Sequence, residues 1–221
     1  MVTKKKTDDS IVQIQPANMI VTVIRIRGTA PYIQEAFSFK TREEIKRKMA
    51  TPAAEQRGKK GRPVRNYSDE FEQAQHKSVA GWVGIPCTAF RRAMVDACRT
   101  VNVVMVTAKM ALFVLPDGFD AADGTPLVRL QSATGPEQTE LPVRNANGSV
   151  DIRVRPMWRE WYADVQIRFD ADMITAQSIV NLLDRAGQQV GIGAGRPFSK
   201  ASVGLGWGTF TVDQQPTEEV A

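Results

Sequence analysis

Residues 161–187 read WYADVQIRFDADMITAQSIVNLLDRAG. The first half alternates: Ala163, Val165, Ile167 and Phe169 fall on one side, Asp164, Gln166 and Arg168 on the other. A period of two with one apolar side is the pattern of a half-buried strand. The period then changes to that of a helix. Asp172 is placed to cap it, Ile174, Ile179, Leu182, Leu183 and Ala186 share one face, and Gly187 is placed to stop it. A one-sided strand feeding a one-sided helix predicts a sheet with helices on a single face.

Working outward, residues 209–212 supply a closing strand, and residues 19–27 (MIVTVIRIR) supply an opening one dense in β-branched side chains. Thr88 is expected to cap a helix reaching about Arg99, with Phe90, Met94 and Ala97 on one face. Residues 109–115 (KMALFVL) read as a buried strand, and residues 150–155 as a second alternating one. Without its insertions the order is β-α-β-β-α-β. The expected fold is therefore α+β, a ferredoxin-like (RRM-like) antiparallel sheet with helices on one face. Residues 1–221 form a single domain in this reading, with a basic insertion at about 28–80 and a second at about 116–158. Turn signals at 117–118, 123–124 and 147–148 make the second a projecting β-hairpin, whose expected arms are residues 127–131 and 141–144.

The chain has 221 residues, a formal charge of +5, and 43% hydrophobic and 24% charged residues, an ordinary globular composition. No apolar run reaches the eighteen residues of a membrane-spanning helix, and residues 1–10 are not followed by a secretory apolar core. The expectation is a soluble, cytoplasmic protein with no membrane partner. Cys87 and Cys98 lie on one expected helix, about 16 Å apart at 1.5 Å per residue, too far for a disulfide. His76 is the single histidine, so a zinc set or a Ser-His-Asp triad is not assembled. No metal and no cofactor is expected.

Charge is concentrated. Residues 40–65 hold ten Lys and Arg, among them Lys46, Arg47, Lys59, Lys60 and Arg62, against Glu43, Glu44 and Glu55. That segment carries +7, and the rest of the chain −2. Clustered cations gain by displacing counterions from phosphates, which points to a polyanion; a solvated loop is the bland alternative. Within the segment, residues 41–49 suit a short helix and residues 56–65 a basic loop.

Residues 190–212 (VGIGAGRPFSKASVGLGWGTFTV) hold two glycine clusters, one including Gly193 and Gly195, the other Gly204 and Gly206, around Arg196 and Lys200. Glycines let a backbone approach a ligand, and amides beside a cation suit phosphates. A helix precedes this loop and a strand follows, the reverse of a dinucleotide-binding fingerprint. The loop resembles the C-terminal signature of the RAMP superfamily, the ferredoxin-like RNA-binding proteins of CRISPR systems. Residues 83–93 (VGIPCTAFRRA) resemble the helix-start motif of the backbone subunits of that family, IPGSSLKGALR, with Cys87 replacing a small residue.

The resemblance implies that Thr88, Arg91 and Arg92 contact a guide RNA. It also implies a thumb-like hairpin, head-to-tail copies of the same chain, and other CRISPR effector subunits as partners. Cleaving backbone subunits carry an aspartate after the first strand; here none occurs between Gly28 and Asn66, and Asp69 is the first afterwards. Read alone, a helix start with a hydroxyl and two arginines is a phosphate-site pattern. Arg153 and Arg155, in RVRPMWREW, add cations interleaved with Trp158 and Trp161. Trp82 and Trp207 suit either the core or a stacking surface.

The expected partner is single-stranded RNA, with a stand-alone single-stranded-DNA-binding or annealing protein as the alternative. His76 is either a surface residue or, with a basic neighbour such as Lys77, the general base of a metal-independent endoribonuclease.

Overall fold

The structure, a computed structural model, describes residues 14–36, 66–144, 150–198 and 204–213. Strands β1 (Met19–Gly28) and β9 (Tyr162–Asp170) form its centre, antiparallel from the Met19–Asp170 pair to Arg27–Tyr162. Their register follows from alternation, because it puts Ile24 and Ile26 on the same buried side as Ala163, Val165, Ile167 and Phe169. On the other side Arg25 meets Asp164 and Val21 meets Arg168.

Strand β10 (Phe210–Val212) joins the free edge of β1, and β4 (Leu112–Val114) joins β9, both antiparallel, giving the order β10-β1-β9-β4. Helix α2 (Cys87–Ala97) precedes β4 in the chain, and α4 (Ala176–Arg185) lies between β9 and β10. Phe90, Met94 and Ala97 of α2, with Ile179 and Leu183 of α4, bury against the inner side of the sheet in one apolar cluster. Phe210 meets Phe90 and Trp161 edge-on at 5.9 and 6.1 Å. Trp158 and Trp161 are both core residues. The protein is thus α+β with antiparallel sheets.

Two smaller sheets flank this centre. Strand β8 (Val150–Trp158) pairs with β7 (Glu137–Arg144) and with the short β2 (Tyr32–Ile33). Strand β6 (Pro126–Arg129) lies between β3 (Gly84–Pro86) and β5 (Gly118–Phe119). The hairpin is present and the expected arm at 141–144 falls within β7, but the other arm is β8 rather than residues 127–131, whose first part belongs to β6. Alternation can be continued along residues 150–158, so these residues pair with the neighbouring β7 across a short connection, and β6 is left to cover the start of α2.

Helix ends also depart from the sequence reading. Thr175, not Asp172, caps α4: its hydroxyl accepts from the Ser178 amide at 3.2 Å, while Asp172 accepts from Asn18. Gly187 does not stop the helix. A π-turn continues through residues Ala186–Val190, and Gly191, at φ 69°, ends it. Gly187 is glycine because a Cβ there would lie 2.1 Å from the Phe210 carbonyl oxygen. At the start of α2 the cap position belongs to Pro86, and Thr88 sits in the first turn without a capping bond. Residues 109–111 finish a short helix, α3 (Met105–Ala111), so only Leu112–Val114 of the expected 109–115 strand is extended.

Candidate functional site

One side of α2 repeats every four residues: Thr88 and Ala89, then Arg92 and Ala93, then Asp96. These side chains form one wall of a groove of about 550 Å³. Facing them is the first glycine cluster, residues 190–196, and the floor is made by Tyr32, Gln34, Glu35 and His76. The two segments singled out in the sequence as motifs, over a hundred residues apart, therefore confront each other. Thr88, Arg92, Gly193, Gly195 and Arg196 line the same space.

Arg92 is exposed and, among the described residues, reaches only Asp96, at 3.8 Å, leaving its charge available to the groove. Arg196 is partly committed: its Nε donates to the Phe198 carbonyl at 3.0 Å and one terminal nitrogen to the Gly193 carbonyl at 3.1 Å. Arg91 is turned away. It donates to the Leu112 and Lys109 carbonyls and lies over the Phe113 ring at 5.1 Å, so it ties α2 to β4 rather than reaching the groove. Among the lining residues, Arg92 and Arg196 are offset by Glu35 and Asp96.

The glycines also serve packing. A Cβ on Gly193 would sit 2.5 Å from the Ile33 carbonyl oxygen and 2.6 Å from the Tyr32 ring. On Gly195 it would meet Trp207 at 2.6 Å, and on Gly204 the Arg196 carbonyl oxygen at 2.4 Å. These residues are glycine because the loop folds tightly on β2 and on itself. Gly206 has no such neighbour, only a φ of 77°. Trp207 packs on Gly195, and Trp82 on Gly84 and Gly118.

The floor is built on buried polar groups that the sequence reading did not single out. Gln34, 1% exposed, donates to the Gly84 carbonyl at 2.7 Å and accepts the His76 amide at 2.9 Å. It thereby fixes β2, the His76 segment and the lead-in to α2 to one another. Burial pushes the Tyr32 hydroxyl well above the usual tyrosine range. Asp120, 5% exposed, accepts from the Ala122 amide through one oxygen. Its other oxygen lies 2.6 Å from His76 Nδ1. A carboxylate accepts, so the imidazole presents its Nδ1–H to Asp120, and in the neutral ring the lone pair then falls on Nε2. Nε2 has no partner among the described residues.

His76 is thus neither a bare surface residue nor partnered by Lys77, which is paired with Glu72 on the outside. The signal for Asp120 was confined to its place in a turn-rich stretch, 44 residues from His76.

Arg153 and Arg155, on one side of β8, both donate to the same Glu35 oxygen, at 3.2 and 2.6 Å. Asp69 lies in the first turn of α1 (Tyr67–Gln73), exposed and outside the groove lining. Lys46, Arg47, Lys59, Lys60, Arg62 and Lys200 lie outside the described residues, as do the expected helix at 41–49 and loop at 56–65. Cys87 and Cys98 are free and buried, and burial, aided by Asp117, pushes the Cys87 thiol up to about 11. Among the described residues no group of three or more His, Cys, Asp or Glu is placed to hold a metal ion. Nor is any helix among them long and apolar enough to cross a membrane. No protein-family model and no curated protein matches this chain.

Proposed function

We propose that the chain binds single-stranded nucleic acid, RNA before DNA, along this groove, as a RAMP-type backbone subunit of a CRISPR-type ribonucleoprotein in the cytoplasm. The observation that carries the reading is the convergence of the α2 start, with Thr88 and Arg92, on the Gly193–Arg196 loop across one open groove. The antiparallel order β10-β1-β9-β4, with α2 and α4 on one side, is compatible with the expected ferredoxin-like sheet and supports the same reading. The +7 segment begins at Lys40, five residues after Glu35 in the sequence. In this reading the β7–β8 hairpin reaches a neighbouring copy in a head-to-tail array, a contact that does not close and so builds a filament.

Fluorescence anisotropy with matched ~30-nucleotide single-stranded RNA, single-stranded DNA and duplex probes across a salt series tests this. Tight, salt-steep RNA binding that weakens in Arg92→Ala is the expected result. Stronger DNA binding favours the annealing-protein alternative, and no binding at low salt overturns both.

The His76–Asp120 contact favours a second reading, a metal-independent endoribonuclease. His76 Nε2 takes the proton of a ribose 2′-hydroxyl, O2′ attacks the adjacent phosphorus, and the P–O5′ bond breaks. The products are a 2′,3′-cyclic phosphate and a 5′-hydroxyl whose proton comes from water. Under this reading His76→Ala and Asp120→Asn lose cleavage but keep binding; intact cleavage in His76→Ala refutes it.

A further inference from the structure

Two guanidinium groups converging on one oxygen make an anion site, and here the anion is the chain's own. Arg153 and Arg155 both donate to Glu35 Oε1, so two positive charges share one negative charge. The Arg155 side chain is only 14% exposed, which leaves its charge poorly hydrated and raises its demand for an anionic partner. Glu35 is 46% exposed, so its carboxylate is open to solvent on one side. It also lines the groove, where its charge opposes that of Arg92 and Arg196.

We infer that Arg153 and Arg155 form a phosphodiester subsite continuing the groove onto the β7–β8 hairpin, with Glu35 as an internal competitor that the incoming strand displaces. The inference rests on the nucleic-acid reading above. It adds a path for the strand, from the α2 start across the floor to β8. It also adds a built-in filter, because a weak or isolated anion does not repay the loss of the Glu35 pair, whereas a strand anchored at Arg92 does.

The test is a binding cycle on the full chain with the single-stranded RNA probe. Glu35→Gln removes the competitor's charge and keeps its shape; Glu35→Ala guards against a residual amide contact. Both are expected to tighten binding roughly fivefold, as relief of a partly exposed ion pair predicts. The slope of log affinity against log salt should steepen by about 0.7, one more counterion released from a single strand. Arg155→Ala is expected to change the wild type little and to abolish the gain in the Glu35→Gln background.

Unchanged or weaker binding in both Glu35 variants, with Arg92→Ala still weakening the wild type, overturns the inference and leaves the groove reading standing. Loss of melting temperature in Glu35→Gln without any gain in affinity does the same, since it marks a purely structural pair. Absence of binding by every protein at low salt overturns the groove reading itself, and the inference with it.

Discussion

If the second glycine cluster serves packing, its members should respond very differently to alanine. Gly208 and Gly206 both have positive φ, 65° and 77°. Around Gly206 a Cβ finds open space, so Gly206→Ala costs only the left-handed backbone penalty, about 1–2 kcal/mol. At Gly208 the Cβ would stand 1.8 Å from the Ile192 carbonyl oxygen, inside any tolerable contact. Relieving it separates the two arms of the loop. The Ile192 amide then loses the Gly208 carbonyl at 2.9 Å, and the Gly208 amide loses the Pro31 carbonyl at 2.7 Å. At about 1 kcal/mol for each bond, Gly208→Ala should cost about 3–4 kcal/mol in all. For a domain of this size, thermal melting followed by circular dichroism should show a fall of about 10 °C for Gly208→Ala and about 5 °C for Gly206→Ala. Equal losses in the two variants would refute the packing account of the loop.

Adjacent arginines on α2 should separate in the same way. Arg91→Ala removes two carbonyl hydrogen bonds and the Phe113 contact, so it should lower stability by about 1–2 kcal/mol and leave oligonucleotide affinity near wild type. Arg92→Ala should do the reverse, and paired denaturation and anisotropy measurements compare them. The Arg25 hydrogen bond, more than charge alone, holds the Asp164 carboxyl below the usual carboxylate range. That contribution is present above the unfolded carboxylate pKa near 3.9 and is lost as pH falls through the lower folded value. The stability difference between wild type and Asp164→Asn should therefore shrink towards zero in acid; a constant difference down to the acid transition argues against the pair. Cys87 and Cys98 should resist a thiol reagent at neutral pH until the chain is unfolded, because both thiols are buried and Cys87 is pushed up to about 11. Rapid labelling of the folded chain would contradict their placement.

Periodicity by itself determined the sheet centre and the two principal helices. The alternation in β9, the β-branched run in β1 and the apolar faces of α2 and α4 are local patterns, and burial of one side of each leaves little freedom in how they stack. The positions of Arg92 and Arg196 as groove residues were also legible, because a cation beside a helix start or a glycine turn is a short-range motif. Contacts between distant segments were not.

Which strand pairs with β8, that Arg91 turns to β4, and that the glycines answer to Tyr32, Trp207 and Ile192 depend on what the fold brings alongside. The same holds for Gln34, which joins three segments, and for Asp120, a turn residue in the sequence and a histidine partner in space. Hydrophobic alternation is written into each segment because it must be met residue by residue. Polar partnerships between remote segments are met once, at a single point in the folded chain, and only the tertiary structure decided them.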